Sequence, residues 1–189
     1  MYVSEDFCYS SYKEGYFYIR LEFFYKLYIN IIVIYNLGGK MKIIIIGAGK
    51  VGYTLAESLS KENHDVTVID KRADVLEKVD NNLDVMCIRG SGVSTTVLHE
   101  AMIEDTDILI AVTESDEINM VCCLTARTLG AKNTIARIRD PEYAKELSLL
   151  KEQMGLNLVI NPEQAAADEI ANSISFSSAI NVEHFAKGL

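Results

Sequence analysis

A run of four isoleucines followed by a glycine-rich turn constrains the fold of this chain more than any other feature. The stretch reads IIIIGAGKVGYTLAESL and covers residues 43–59. Its apolar run is short and β-branched, which is typical of a parallel strand buried on both faces. Val51, Leu55 and Leu59 then recur every four residues and predict a helix that packs on a sheet. The sequence therefore predicts a strand (Lys42–Ile46), a tight turn and a helix in direct succession.

The same alternation of strand and helix continues along the chain. Five more strands are predicted, at Asp65–Ile69, Asp84–Ile88, Asp107–Val112, Asn133–Ile138 and Leu156–Ile160. Further helices are predicted at Ala73–Val79, at Ser94–Ala101, from a cap at Ser115 or Asp116 to Leu129, at Glu142–Gln153, and from Pro162 to Ile174. Six strands joined through short helical connections predict a doubly wound parallel sheet with helices on both faces, the Rossmann architecture. Right-handed crossovers then place a ligand crevice at the carboxyl ends of the strands.

Charge and cysteine content restrict the classes of partner. The 189-residue chain has a formal net charge of −9 at pH 7, which argues against a nucleic-acid partner. None of the four cysteines has C-x-x-C spacing or a nearby histidine, so buried free thiols in a reducing cytosol are predicted and a metal site is not. The cysteines are Cys8, Cys87, Cys122 and Cys123.

Residues 1–40 differ in composition from the rest of the chain. They contain eight of the ten tyrosines and four of the six phenylalanines. Arg20, Glu22 and Lys26 interrupt their apolar stretch, which disfavours a membrane span, and a secretory signal does not fit either. We interpret these residues as an artefact of a translation start that really lies at Met41. A membrane-associating leader and a disordered tail are the alternatives.

The glycines of the turn have the spacing of a phosphate-binding loop. Gly47, Gly49 and Gly52 form G-x-G-x-x-G directly after a strand and at the start of a helix. In such loops the first glycine makes the turn, the second leaves room for a pyrophosphate and the third lets helix and strand pack closely. The helix N-terminus supplies N–H groups and partial positive charge.

An acidic residue ends the second predicted strand. Asp70 lies 18 residues beyond Gly52, where a carboxylate can accept hydrogen bonds from both hydroxyls of an adenosine ribose. The same charge would repel a 2′-phosphate, so NAD(H) is favoured over NADP(H). The adjacent Lys71 and Arg72 leave NADP(H) open, and a Rossmann domain that has lost its ligand is a further alternative.

Polar residues also end the third, fourth and fifth predicted strands. Residues 88–91 would pass the adenine, although an ordinary polar turn explains them as well. Thr113 would lie near the phosphates. Arg137 and Arg139 alternate along a strand and therefore share a face, where they would meet phosphates, a neighbouring subunit or surface carboxylates.

The remaining polar residues indicate no catalytic set. The pair Asp116–Glu117 can cap a helix or contact a ligand or partner. His64 is predicted in a turn, His99 on a helix face and His184 near the end of the chain, so structural or exposed roles are expected.

Five blocks of the sequence resemble the RCK, or KTN, domain family, the N-terminal nucleotide-binding domain of Trk potassium-uptake regulatory proteins. They read GAGKVGYTLAESL, VTVIDK, CIRGSG, ILIAVTESDEINMVCCLTAR and IARIRDPEY, within residues 41 to about 175. The resemblance implies a non-enzymatic cytoplasmic subunit that binds NAD(H), or ATP and ADP. It also implies dimers or larger rings, held at the inner face of the cell membrane by a potassium transporter or channel whose gate they shift.

The resemblance also implies which residues bind the nucleotide. The glycine turn would hold the phosphates, Asp70 the ribose and the Arg89–Gly90 turn the adenosine. Thr113 and Glu117 would close the pocket, while the two arginines would approach terminal phosphates or the partner subunit. Ser91 departs from the pattern, since many relatives carry Asp or Asn there. The implied set is Gly47, Gly49, Lys50, Val51, Gly52, Asp70, Lys71, Arg89, Gly90, Thr113, Glu117, Arg137 and Arg139.

The resemblance divides the chain into three parts. Residues 1–40 are an extension outside the family pattern, 41–160 are the nucleotide-binding domain, and 161–189 are a crossover helix with the start of a linker. Family members usually continue into a smaller regulatory domain, so a fragment or a truncated product is expected.

Two alternatives from other functional classes stay open. The first is the cofactor-binding half of a nicotinamide-dependent oxidoreductase. Hydride transfer needs a substrate pocket and usually an acid–base residue, and the sequence offers little chain and no constellation for either. The second is a stand-alone nucleotide-binding module without a transporter.

Overall fold

The computed structural model describes residues 39–143, Glu146 and residues 155–175. The described residues up to Pro162 form one compact unit, and those from Glu163 belong to a second. Several sequence predictions lie outside the described residues: those on residues 1–38, Cys8 and His184, and most of the helix predicted at Glu142–Gln153. At its start, Pro141–Tyr143 and Glu146 are helical.

Six parallel strands form one sheet in the order β3-β2-β1-β4-β5-β6. The strands are β1 (Lys42–Ile46), β2 (Asp65–Asp70), β3 (Met86–Arg89), β4 (Ile108–Ala111), β5 (Asn133–Arg137) and β6 (Leu158–Ile160). The helices are α1 (Lys50–Lys61), α2 (Ala73–Asn82), α3 (Thr95–Glu100), α4 (Asp116–Thr128) and α5 (Pro162–Ser175), with a 3₁₀ turn at Ile103–Asp105. The predicted Rossmann fold is therefore confirmed, with element bounds that differ from the predicted ones by at most three residues.

The central strands are buried because their side chains are apolar on both faces. All four residues of β4 are buried, as are the isoleucines of β1. Ile46 at the end of β1 lies in register with Ala111 at the end of β4. From this pair the chain winds outward in opposite directions, towards β2 and β3 on one side and β5 and β6 on the other. A crevice opens at such a switch point, at the carboxyl ends of the strands.

The buried stripe of α1 differs in one position from the predicted one. Val51 is only partly buried, whereas Gly52, Leu55, Ala56 and Leu59 are buried. A spacing of strictly four residues drifts around a helix of 3.6 residues per turn, so the contact face alternates between steps of three and four. The third glycine therefore packs on the sheet in place of the valine.

Three cysteines lie among the described residues, and all are free thiols. Cys122 and Cys123 are fully buried on α4, as predicted, while Cys87 is only partly buried. Burial raises the pKa of the Cys122 thiol to about 12 and also raises the pKa of Cys123. Both side chains act as small apolar groups of the core.

Candidate functional site

The first glycine of the turn makes a close contact between the two central strands. Gly47 has a φ of +102°, which favours glycine, and its N–H donates to the carbonyl of Ile69 at 2.8 Å. A Cβ atom at this position would lie 3.0 Å from the carbonyl oxygen of Val112 and 3.1 Å from the nitrogen of Thr113. The turn after β1 therefore lies directly against the loop that follows β4.

The other two glycines differ in what surrounds them. A Cβ atom at Gly52 would lie 1.8 Å from the carbonyl oxygen of Gly47, so only glycine lets α1 approach the turn. A Cβ atom at Gly49 would meet nothing within 4 Å. The third glycine is needed for packing, whereas the second borders open space that a ligand can enter.

Within the described part of the chain, the N-terminus of α1 leaves its first hydrogen-bond donors without acceptors. Gly49 occupies the N-cap position and has no side chain to cap the helix, and the first turn contains no acidic residue. Among the described residues, no acceptor pairs with the amide groups of Lys50, Val51 or Gly52. The exposed Lys50 adds a positive charge to an end of the helix that is already electropositive. Such an end binds anions.

Asp70 at the end of β2 holds the glycine turn from the other side. One carboxylate oxygen accepts the N–H of Ala48 at 2.7 Å and the other accepts the N–H of Arg72 at 2.9 Å. Burial opposes ionisation, but these N–H groups and the Arg72 side chain outweigh it, so the pKa of Asp70 is lowered. The carboxylate is ionised at neutral pH and keeps lone pairs for further donors.

The turn after β3 is tightly packed. The N–H of Gly90 donates to the carbonyl of Asp70 at 2.9 Å, and a Cβ atom at Gly90 would lie 2.6 Å from Val97. A Cβ atom at Gly92 would lie 2.3 Å from Ile46. Both glycines are therefore needed for packing, which an ordinary polar turn, the alternative considered above, would not require. The exposed Arg89 donates through Nε to the carbonyl of Lys71, another exposed residue, at 3.4 Å.

Thr113 is held by Asn119, which is fully buried on α4. The side-chain oxygen of Asn119 accepts the N–H of Thr113 at 2.8 Å and its hydroxyl at 2.7 Å. The amide nitrogen of Asn119 donates to the carbonyl of Arg137 at 2.8 Å. The threonine hydroxyl is thus committed within the protein, and the loops after β4 and β5 are joined by one side chain.

Ser115 caps α4, so Asp116 is available for another role. The Ser115 hydroxyl oxygen accepts the N–H of Ile118 at 3.2 Å. Asp116 is buried, and one of its carboxylate oxygens accepts the N–H groups of Arg139 at 2.7 Å and of Asp140 at 2.9 Å. Of the two predicted capping residues, the serine is the cap and the aspartate binds the loop after β5.

Glu117 lies exposed at the edge of the crevice. It accepts hydrogen bonds from the Ser115 hydroxyl at 2.6 Å and from the Tyr143 hydroxyl at 3.0 Å. The bond from Ser115 is the main reason that the pKa of Glu117 is lowered, and the bond to Glu117 raises the pKa of Tyr143. The carboxylate is held in place by its own neighbours.

The two arginines have different surroundings. Arg139 lies beyond the end of β5, where its guanidinium contacts Asp116 at 3.5 Å and donates to the carbonyl of Glu114. Arg137 is the last residue of β5 and is half-buried. Arg139 thus forms an ion pair, but its partner is the buried carboxylate of Asp116 and not the surface carboxylate that the sequence left as one alternative.

Sequence reasoning missed Asn119 and Tyr143 and did not assign Asp116 its role. One signal was present for Asn119, because it shares a helical face with Cys122, Cys123 and Ala126, all buried. An amide on such a face needs hydrogen-bond partners. Nothing in the sequence alone indicated that these partners are the ends of β4 and β5.

Neither described histidine lies at the crevice. His64 is buried at the amino edge of the sheet and accepts the N–H of Met41 at 3.2 Å. His99 lies 2.6 Å from Glu104 on the surface. Within the described parts of the chain, no group of three carboxylates, thiols or imidazoles is placed to hold a metal ion. No helix there has the length and apolar composition needed to cross a lipid bilayer.

Comparison with known proteins identifies the family. The family model of the TrkA-N domain matches residues 43–162. The chain belongs to the TrkA-N domain family. The match begins at the second residue of β1 and ends at the first residue of α5, so it includes residues of all six strands and the loops at their carboxyl ends.

Curated relatives within the TrkA-N family are considerably longer than this chain. The Trk system potassium uptake protein TrkA of Halomonas elongata is 44% identical over 151 residues, which are 79% of this chain and 33% of that protein. Its counterpart in Haemophilus influenzae is 43% identical over 149 residues, or 77% of this chain and 32% of that protein. This chain therefore spans about a third of the length of these relatives.

Solved TrkA-N and RCK structures share the fold. The TrkA-N domain of the inner membrane protein ybaL from Escherichia coli has a TM-score of 0.60 at 21% identity, covering 76% of this chain and all of that one. The GsuK channel, solved bound to NAD, has a TM-score of 0.55 at 25% identity, covering 65% of this chain and 21% of that one.

Proposed function

We propose that this chain is the nucleotide-binding part of a regulatory subunit of a potassium-uptake system. The observation that carries the proposal is the start of α1. Among the residues that the structure describes, Gly49 borders open space and the N–H groups that follow it have no acceptors. Membership of the TrkA-N family adds the context, because the curated relatives are Trk potassium uptake proteins. The chain senses the nucleotide and transmits its presence to a membrane transporter.

The proposed ligand is NAD(H), or alternatively ATP and ADP. Phosphates would lie at the glycine turn beside Lys50 and Val51, and Asp70 would accept the ribose hydroxyls, with Lys71 nearby. Adenosine would lie against the turn at Arg89 and Gly90. The GsuK channel is solved bound to NAD and also bound to ADP, which supports a nucleotide ligand and keeps both candidates in the proposal.

The distal part of the crevice has its own proposed contacts. Thr113 and Glu117 would close the pocket through a loop that Asn119 and Tyr143 already hold in place. Arg137 and Arg139 are proposed to approach terminal phosphates or the partner subunit. For Arg139 this requires that a phosphate replace its contact with Asp116.

Self-association into dimers or rings is part of the proposal. Ile118, Val121 and Leu124 recur every three residues on α4 and are 37%, 45% and 42% exposed. A row of exposed apolar side chains on one helix supports contact with a second copy. A nucleotide would bias such a ring only by binding one of its arrangements more tightly than the other. Through the transporter the ring would lie at the cytoplasmic face of the membrane.

Calorimetric titration of the chain with NADH, NAD, ATP and ADP tests the ligand. We expect binding of at least one nucleotide, reduced at least tenfold by Asp70→Ala. Asp107→Ala is the matched control, because this aspartate also accepts a backbone N–H, that of Lys42, at 2.9 Å but lies at the amino edge of the sheet. If none of the four ligands binds, the proposal is wrong.

A second assay addresses the remaining functional class. Absorbance at 340 nm would be followed with NAD or NADH and a panel of alcohols, aldehydes and 2-hydroxy acids. A regulatory subunit gives binding without turnover. Turnover that Asp70→Ala abolishes would instead assign the chain to the nicotinamide-dependent oxidoreductases.

A further inference from the structure

Side-chain hydrogen bonds join the loops that follow β4, β5 and β6 in series. Asn119 forms the first link, because it binds Thr113 after β4 and the carbonyl of Arg137 at the end of β5. We call this series the rim relay; it consists of Asn119, Asp116, Asn161 and the main-chain groups that they bind.

Asp116 forms the second and central link. Its buried carboxylate accepts two consecutive backbone N–H groups, those of Arg139 and Asp140, from the loop after β5. The Arg139 guanidinium contacts the same carboxylate and also donates to the carbonyl of Glu114, so it returns to the loop after β4. Because three groups of one loop converge on a single carboxylate, the two loops are held as one body.

Asn161 forms the third link. Its side-chain nitrogen donates to the carbonyl of Arg139 at 3.2 Å. The next residue, Pro162, begins α5. Beside this bond, the N–H of Ile138 donates to the carbonyl of Ile160 at 2.9 Å and continues the pairing of β5 with β6. The rim relay therefore reaches Asn161, the residue directly before α5.

The other end of the relay touches the glycine turn. A Cβ atom at Gly47 would lie 3.0 Å from the carbonyl of Val112 and 3.1 Å from the nitrogen of Thr113. The N–H of Thr113 donates its hydrogen bond to the side-chain oxygen of Asn119. A ligand that binds between the glycine turn and the Thr113 loop would therefore contact both the turn and the first link.

We propose that Asp116 is a positioning residue that couples the crevice to the end of β6 through Asn161. Binding in the crevice restricts the Thr113 loop, and the restriction passes through the Asp116 carboxylate to Arg139 and from its carbonyl to Asn161. Hydrogen bonds arranged in a network act together, and coupling between two sites is reciprocal. The ligand at one end of this coupling rests on the proposed function; the link from Asp116 to Asn161 does not.

The ligand-free test compares two aspartates in NMR spectra of the full chain. Asp116→Asn is expected to increase amide hydrogen exchange at Arg139 and Asp140 at least tenfold and to shift the side-chain amide signals of Asn161. Asp107→Asn is the matched control at the amino edge, where the aspartate accepts the N–H of Lys42 and the Lys132 ammonium.

The control variant has its own reporter. The side-chain nitrogen of Asn133 donates to the carbonyl of Asp107 at 3.2 Å, so Asp107→Asn should shift the Asn133 amide and leave Asn161 unchanged. The proposed link is wrong if Asp116→Asn leaves the Asn161 signals in place, or if both variants shift them equally.

The ligand test uses NADH and ADP with the parent chain and Asn161→Ala. Asn161 is partly exposed at the end of an edge strand, so this variant is expected to fold. In the parent, nucleotide should slow amide exchange at residues 158–161 at least threefold. In Asn161→Ala, affinity should stay within twofold while this slowing is lost.

The outcomes separate the relay from the nucleotide site. Slowing that persists in Asn161→Ala shows that the coupling does not pass through this residue and overturns the proposal. If neither these two nucleotides nor NAD and ATP bind the parent, the proposed function fails and the coupling to a ligand fails with it. The ligand-free comparison then still decides whether Asp116 positions Asn161.

Discussion

Helices α1 and α4 begin at the same edge of the sheet, after neighbouring strands, but their first turns are opposite in character. The start of α4 has a serine cap and two acidic residues, Asp116 and Glu117. The start of α1 has neither a capping side chain nor an acid, and its first residue is Lys50. A side-chain cap contributes about 0.5 to 2 kcal/mol and a favourable terminal charge about 0.3 to 1 kcal/mol. The start of α1 has neither contribution, which agrees with the proposal that the phosphates of a nucleotide bind at this helix end.

The largest expected effect contrasts two glycines at the start of α1. Gly52→Ala places a Cβ atom 1.8 Å from the carbonyl oxygen of Gly47. Because the clashing atom belongs to the backbone, the turn would have to shift to relieve the clash. We expect a loss of more than about 4 kcal/mol in the free energy of unfolding, measured by urea denaturation. Gly49→Ala, which meets open space, should lose no more than about 1 kcal/mol but reduce nucleotide affinity at least tenfold. Equal losses of stability would contradict the different roles of the two glycines.

The next effect concerns the anchoring of α4 by its own side chains. Asn119→Asp keeps the size of the side chain but turns an oxygen towards the carbonyl of Arg137, where the amide now donates. The unfolding free energy should fall by about 2 to 4 kcal/mol, since a buried charge then faces an acceptor. Asn133→Asp is the control. Asn133 is partly exposed at the amino end of β5, the strand that ends at Arg137, and this substitution should lower the unfolding free energy clearly less. Similar losses would show that the burial of Asn119 is not decisive.

Exchanging the character of the two helix starts should separate stability from binding. Ser115→Ala removes the cap of α4 and should lower the unfolding free energy by about 1 kcal/mol, with nucleotide affinity changed less than threefold. Lys50→Glu should raise the unfolding free energy by up to about 1 kcal/mol and weaken binding at least tenfold. Lys50→Gln measures the loss of charge alone. If Lys50→Glu weakened both stability and binding, the start of α1 would be a structural element and not an anion site.

The smallest effect is a dependence on pH that comes from Asp70. Its pKa is lowered in the folded protein, so its stabilising contribution is fully present above the unfolded value of about 3.9 and disappears as pH falls through the folded value. Asp70→Asn removes this contribution. The difference in unfolding free energy between parent and variant should therefore be constant near neutral pH and shrink below about pH 4. Urea titrations from pH 3 to pH 7 measure it, and a difference that grows on acidification would contradict the assigned sign.

The sequence contains most of the information on the fold and on α1. Short β-branched runs predict the buried strands. The glycine spacing predicts a tight turn and a closely packed helix, which the contacts of Gly47 and Gly52 confirm, while the role of Gly49 towards a pyrophosphate stays a prediction. The start of α4 could not be predicted to the same depth. Asp116 and Arg139 are 23 residues apart, and their contact depends on where two loops meet after β4 and β5. Polar side chains such as these can cap a helix, bind a neighbouring loop or contact a ligand, and only the fold decides among these roles.

The contact of Gly92 with Ile46 and Cys122 has a consequence for how mutational tolerance would distribute over the crevice. In a saturation library scored for protein abundance, Gly92 and Gly52 should tolerate almost no substitution, while Gly49 should accept several. In the same library scored for nucleotide retention, all three positions should be depleted. A glycine beside the proposed ligand site can thus resist substitution only because a larger side chain would not fit. Comparing the two scores at each residue distinguishes positions needed for packing from positions that border the proposed ligand.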